Sequence, residues 1–398
     1  MRVVVIGAGI VGATIAYELA QVSELEKVSE LEITVLDRLA QPQTADQTHY
    51  DTGTGGALGL LMASISKKAK GRSWQMRELA MDWYDRMIPA VEQATRLVIP
   101  VNRQGILMLQ DFATDLTPWE KLLALRCEQQ RPLEIWTAAK IQLMLPQLAV
   151  AGTGAAIYAP TDRQVHPARL TAALIVAAQQ QGVEFRWQTM VTGMRIEAGR
   201  VRQVQTEAGP IDCDCVVIAA GLGVAALCQE LASQELAQPM TSGRSETIAL
   251  RPVLGQAMQI ALPQQLGLPE FQPVVTSQDV HLVPLGRQPD GAWHYWVGAT
   301  VEFPDAAGQA LPPDRELWAA LWQTAVGYCP AIAQAQILRQ WSGLRPRPQG
   351  RPAPIVERLP AFENVVVAAG HYRNGVLLAP ATAIAVRELI RELIAAIG

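Results

Sequence analysis

The chain has 398 residues, 49% of them hydrophobic and 18% charged, with a formal net charge of -4. That length exceeds the usual span of one hydrophobic core and predicts two domains, while the composition excludes a disordered or fibrous chain. The slightly acidic balance provides no basic field, so no nucleic-acid partner is expected, and five cysteines predict a reducing, cytoplasmic setting rather than a disulfide framework.

The chain opens with "RVVVIGAGIVGATIAYELAQ", a β-branched run, then Gly7-x-Gly9-x-x-Gly12, then a helical pattern through Ile15, Ala16 and Leu19. Gly7 allows the tight turn, Gly9 lets a pyrophosphate approach the backbone, and Gly12 lets strand and helix pack closely. The helix N-terminus then offers unpaired N–H groups and a positive dipole end to phosphates. A second strand, "LEITVLD", ends at Asp37, placed to accept hydrogen bonds from a ribose. The intervening "QVSELEKVSE" lengthens the spacing and predicts an extended helix or a loop. This fingerprint does not separate FAD from NAD. The start "MRVVVIGAG" lacks signal-peptide order, and no apolar run reaches the roughly 20 residues of a membrane span, so a soluble protein with no transmembrane segment is expected.

A Gly/Thr-rich loop, "YDTGTGGALGLL", follows. "SKKAKGR", Ser66 to Arg72, reads as a solvated loop rather than a phosphate tract. A helix with Leu79, Met81, Trp83 and Met87 on its apolar positions comes next. Residues 97–150 predict a strand, "GILMLQ", and a helix ending near Pro146. "HPARLTAALIVAAQQQGVEFRWQTMV" predicts a helix with Leu170, Leu174 and Ala177 on one face, then a strand. "RVRQVQTEAGPIDCDCVVIAAG" predicts a hairpin and a buried strand ending at Ala219, Ala220 and Gly221. Cys213 and Cys215 have metal-like proximity but no second pair, and read as strand residues with no metal. Strand-rich sequence from about Gly243 to Thr300 precedes a helix with Leu317, Leu321 and Ala325. The last segment returns to strand, turn and helix, the helix beginning between Val376 and Pro380 with the Pro in its first turn. That turn aims backbone N–H groups at a ligand, and a reduced flavin, negative near N1 and the C2 carbonyl, suits it.

"WSGLRPRPQGRPAPIVERLP" and "VVVAAGHYRNGVLLAPAT" closely resemble the C-terminal signature of the glycine oxidases, in the D-amino-acid oxidase family of FAD-dependent amine oxidoreductases. "VVVIGAGIVGATIAYELA" and "VHPARLTAALIVAAQQQG" share the likeness, which spans nearly the full length. The resemblance implies an α/β fold: a Rossmann-like FAD-binding domain of the GR2 type, from residues 1–95, 150–225 and 335–398, with an inserted mixed α+β substrate-binding domain from 96–149 and 226–334.

It also implies residue roles. Arg345, in "GLRP", matches the family's carboxylate-binding arginine, a task suited to a guanidinium fork. Arg373 matches a position close to substrate and flavin. Gly370, Asn374, Gly375, Val376 and Leu377 match backbone contacts to the flavin, and Gly375 permits close approach. Ile10 and Val11 fall with the glycine turn, Asp37 and Arg38 at the adenosine ribose, and Ala220 and Gly221 at the end of the middle strand. Val191 matches a residue near the adenine, and a core valine fits the sequence equally. Thr54, Gly55, Gly59 and Leu60 fall on the flavin-lining loop, which departs from the usual Ser/Ala-rich pattern and is followed by extra residues in "MASISKKAKGRSW". His281 stands where glycine oxidases have a Tyr, and Asp279 where they have a His. His281 is a candidate to bond the substrate carboxylate or tune a proton; a satisfied pocket histidine is the alternative.

The implied chemistry is hydride transfer from the Cα of a small amino acid to flavin N5, with non-covalent FAD, followed by imine hydrolysis and reoxidation by O2 to give peroxide. The imine can also serve thiamine thiazole synthesis, and a homo-oligomer is in keeping with the family. The rivals are a D-amino-acid dehydrogenase passing electrons to a quinone, a sarcosine-oxidase-like enzyme, a nicotinamide dehydrogenase, and a non-catalytic flavin-binding subunit. Cys329 reads as helical and buried, not as a covalent flavin anchor.

Overall fold

The computed structural model describes residues 1–26, 31–40, 52–150, 152–236 and 248–397. Residues 27–30, assigned above to a helix extension or loop, lie outside them, as do the start of the Gly/Thr-rich loop and the start of the strand-rich region near Gly243.

The opening strand Arg2–Ile6 is the hub of a six-stranded sheet. It pairs in parallel with Glu32–Leu36 on one side and Cys215–Ile218 on the other. Glu184–Arg186 extends one edge in parallel, while Val365–Ala369 and then the antiparallel strand Ile355–Arg358 extend the other. Both faces are covered, so these strands need no alternation and read as continuous Val/Ile runs. The pleat still sorts them. Val3, Val5, Cys215 and Val217 meet a four-helix layer, Ile10–Glu26, Arg72–Thr95, Pro167–Gln180 and Gly375–Ile397. Val4, Ile6, Val216 and Ile218 meet the small antiparallel sheet Val191–Glu197, Arg200–Thr206, Gly209–Asp212 and the helix Gly223–Leu236.

A buried carboxylate ties the helical layer together. Glu18 Oε2 accepts from Trp83 Nε1 at 3.0 Å and Oε1 from Arg387 Nη1 at 2.6 Å, joining three helices. A charge this buried needs both partners.

The second sheet has eight strands, in the order Gln336–Pro348, Leu250–Leu262, Trp293–Gly298, Val280–Arg287, Val274–Ser277, Ile106–Asp111, Thr153–Ala159 and Glu134–Thr137. Every pairing is antiparallel except Val274–Ser277 with Ile106–Asp111. One face packs on the helix Arg315–Tyr328 through Leu321, Ala325 and Tyr328; the other presents Ala257, Trp296 and Trp341, which cluster with Leu58 of the Gly/Thr-rich loop.

Sheet pairing and helix packing run across the boundaries expected at 150, 226 and 335. Thr153–Ala159 pairs with two large-sheet strands. The helix Gly223–Leu236 packs under the six-stranded sheet through Val224, Cys228 and Leu231. Gln336–Pro348 runs beside Leu250–Leu262 along its length, so the chain leaves the large sheet only after Pro348.

Two apolar assignments also change. Leu79 and Leu317 are 38% and 42% exposed, because the stripe that packs runs through Ala80, Met81, Tyr84 and Ile88 in one helix and begins at Leu321 in the other. Residues 97–150 hold two helices, Thr117–Glu128 and Ala138–Met144, separated by a strand. Cys329 is fully buried but caps its helix rather than lying within it.

Candidate active site

A cavity of about 730 Å³ runs from the C-terminal ends of the six-stranded sheet to the edge of the eight-stranded one. Carboxyl ends of parallel strands are where α/β sheets bind ligands.

At one end the glycine turn follows the opening strand. Gly7 has φ +106°, and a Cβ there would sit 2.7 Å from the Ala219 carbonyl oxygen; a Cβ on Gly12 would sit 1.8 Å from the Gly7 carbonyl oxygen. These glycines are demanded by the turn and by strand–helix packing. Gly9, Ile10 and Val11 lie on the cavity wall and Gly12 does not, as its packing role requires. Thr54 Oγ1 accepts from Ile10 N at 3.0 Å, docking the Gly/Thr-rich loop on the first helix. The Asp37 carboxylate accepts from Ala8 N at 2.7 Å and Leu39 N at 2.9 Å. Each oxygen keeps a further lone pair for a ribose hydroxyl. Arg38, Val191, Ala220 and Gly221 complete this end. Val191 is half-buried on the wall rather than in the core.

In the middle, Gly59, Leu60, Gly370, Gly375 and Val376 form the wall. Gly55, Asn374 and Leu377 are off it. Gly55 N donates to Thr52 Oγ1, Leu377 is buried in the helical layer, and the Asn374 amide oxygen turns toward Arg77 Nη2 at 3.5 Å. The extra segment after this loop is clamped at both polarities. Asp162 accepts from Ala63, Ser64 and Ile65 N, and fully buried Arg126 donates to the carbonyls of Ser64, Ser66 and Lys68.

The C-terminal helix starts at Gly375, so Pro380 lies inside it rather than in its first turn. Pro380 cannot donate to the carbonyl four residues back, and that carbonyl, Val376 O, instead accepts from the buried Tyr84 hydroxyl at 2.5 Å. Glycine is required by φ at Gly370, at +67°, whereas Gly375 is helical and the nearest atom to a Cβ there is His371 Cβ at 3.8 Å. Its value is the open backbone it shows the cavity.

At the far end Arg345 projects from Gln336–Pro348. Its Nη1 donates to the carbonyls of Leu254 at 3.2 Å and Thr300 at 3.1 Å. Among the described residues its Nη2 and Nε have no protein partner. Gly255 makes this possible, since a Cβ there would meet Nη2 at 2.1 Å. Burial, with help from Arg373, pushes Arg345 down to about 10, so it stays charged at neutral pH. Arg373 donates to Asp279 at 2.9 and 3.2 Å; burial opposes its charge, but Asp279 outweighs that and raises its pKa. The same bonds hold Asp279 below the usual carboxylate range. His281, also on the wall, is pushed down to about 4 by burial and then by Arg373, and its Nδ1 is buried without a partner.

The residues sequence reasoning missed here are Tyr84, Gly255 and Ala299, which lines the wall. An isolated glycine within the strand "LRPVLGQAMQIAL" was the available signal for Gly255; nothing in the local sequence marks Tyr84.

A glycine turn with an acidic residue at the next strand end, a helix N-terminus at mid-cavity and a guanidinium at the far end are the arrangement of a dinucleotide-dependent oxidoreductase. Residues 2–389 match the family described as FAD dependent oxidoreductase, and the chain belongs to that family. FAD is its cofactor, and the cradle fits: the turn has no Cβ where a pyrophosphate would approach, and the backbone is open where a flavin would lie. The glycine oxidase of Pseudomonas aeruginosa is 28% identical over 385 residues, covering 96% of this chain and 92% of that protein. The bifunctional protein ThiO/ThiG of Nostoc sp. is 27% identical, covering 98% of this chain and 52% of its own length. The crystal structure of glycine oxidase from Geobacillus kaustophilus superposes with a TM-score of 0.80 at 23% identity, covering 98% and 95% of the two chains. No helix among the described residues is long and apolar enough to cross a membrane.

Proposed function

We propose that the chain oxidises a small amino acid, namely glycine, sarcosine or a small D-amino acid, at the Cα–N bond. The imine takes up water to give an oxoacid and ammonia, or methylamine from sarcosine, and O2 receives the two electrons as hydrogen peroxide. The observation that carries this reading is Arg345, whose Nη2 and Nε have no partner among the described residues while its Nη1 is fixed by two carbonyls at the cavity wall. A neutral ligand needs no such fork, and a carboxylate fits it with two parallel bonds.

The six-stranded part would hold FAD non-covalently, with Gly7, Gly9 and Asp37 at the adenosine diphosphate and Gly375 and Val376 at the ring; the eight-stranded part would cover the substrate. Bound FAD supplies a two-electron hydride acceptor. Arg345 binds and orients the carboxylate, which fixes the direction of the Cα–H. His281 stays neutral, so it adds no charge to repel an ammonium or to compete with Arg345 for the carboxylate. The amine must lose its proton before a hydride can leave, and that proton passes to solvent. The named relatives support this reading, and the bifunctional relative supports use of the imine in thiamine thiazole synthesis.

The test is to add glycine, sarcosine or D-alanine to the FAD-loaded protein without oxygen. One of them should bleach the visible flavin band, and air should restore it with one peroxide formed per oxoacid. Bleaching that air reverses only slowly would instead support electron transfer to a quinone, and no bleaching by any of them would contradict the proposal.

A further inference from the structure

The hairpin of Val274–Ser277 and Val280–Arg287 turns through Gln278 and Asp279, at φ 48° and 65°. Two-residue turns with both central residues at positive φ ordinarily take Asn-Gly. Side-chain-bearing residues there hold strain that surrounding contacts must outweigh. One such contact is the pair of bonds from Arg373 to Asp279, which joins the hairpin tip on the large sheet to the turn before the C-terminal helix. Arg373 lies on the cavity wall and Asp279 does not. At the far end two guanidiniums therefore border the cavity: both Nη atoms of Arg373 bond Asp279, whereas Nη2 and Nε of Arg345 have no protein partner among the described residues.

We propose that Asp279 determines specificity: by occupying Arg373 it restricts the site to amino acids with one carboxylate and disfavours those carrying a second acidic group. The inference rests on the reading of Arg345 as the carboxylate anchor. A second carboxylate reaching Arg373 must either displace Asp279 from the two Nη atoms or share the guanidinium with it, and in both cases lies close to its negative charge, which is unfavourable at such separations. The pair is partly exposed, with side-chain exposures of 36% and 65%, so it is not a buried strut whose loss would collapse the fold. Its effect is to cancel one of the two positive charges beside the site.

The test titrates acetate and malonate, neither of which can be oxidised, into the FAD-loaded protein and reads the perturbation of the flavin spectrum. The native protein should bind acetate, and malonate about tenfold more weakly or worse. In Asp279→Asn the affinity for malonate relative to acetate should rise by about tenfold, the scale of one charge-assisted pair. Asp279→Ala should shift it the same way, and adding Arg373→Gln should abolish the rise. An unchanged ratio in both Asp279 variants, or a rise that survives Arg373→Gln, overturns the proposal while leaving the anchor intact. Acetate binding that is absent, or that is equal in Arg345→Met, refutes the anchor itself and the proposal with it.

Discussion

Two residues beside Arg345 set what the far end of the cavity can do. Gly255 is the first, because it leaves the space that Arg345 fills. Gly255→Ala should push the guanidinium aside and raise KM for the substrate by on the order of tenfold, with FAD affinity unmoved; steady-state kinetics and a flavin titration check both. His281 is the second kind of case. Its ordinary value of 6.5 is lowered to about 4, so between those pH values the unfolded chain holds a proton that the folded chain does not. Stability should therefore fall as pH falls through that window, by at most about 1.4 kcal/mol per pH unit for this residue. Denaturant melts from pH 7 to 4 should show a shallower slope in His281→Gln. His371 is lowered to about 4 by its own burial and should keep its share of the slope in that variant, and identical slopes would contradict the account.

The C-terminal helix shows how an element carries a local defect into the site. Pro380 removes one helical hydrogen bond in the second turn, next to the face at Gly375 and Val376. Tyr84, on Arg72–Thr95, supplies the missing donor, and His371 Nε2 contacts Thr382 Oγ1 at 2.8 Å across the same start. Tyr84→Phe should leave the Val376 carbonyl unpaired and buried, at a cost of about 1–3 kcal/mol, and should weaken FAD binding; thermal melts with and without added FAD read both effects. Such a bond could not be read from sequence. Periodicity locates the buried stripe of each helix but not the partner of a single carbonyl, and it also misplaced Leu79 and Leu317, whose exposure depends on where the neighbouring layer ends.

For the whole molecule, the parts legible in sequence were those set by local rules. The glycine turn, Asp37, the Val/Ile strands and the final strand-turn-helix each carry their own signature within a few residues. The assembly of the site was less legible because it depends on long-range pairing: Arg345 reaches the cavity only because Gln336–Pro348 lies beside Leu250–Leu262. Asp279 was visible as a departure from the family pattern. Its bond to Arg373, 94 residues away, emerged only when the two units were brought together.

The central claim is that Arg345 anchors a substrate carboxylate beside bound FAD. Its most direct test is the anaerobic half-reaction, in which flavin bleaching is followed against substrate concentration for the native protein and for Arg345→Met, both loaded with FAD. The account predicts apparent substrate affinity weaker by on the order of 10- to 100-fold in the variant, with FAD bound equally well. Equal affinity for the amino acid in the two proteins would contradict it.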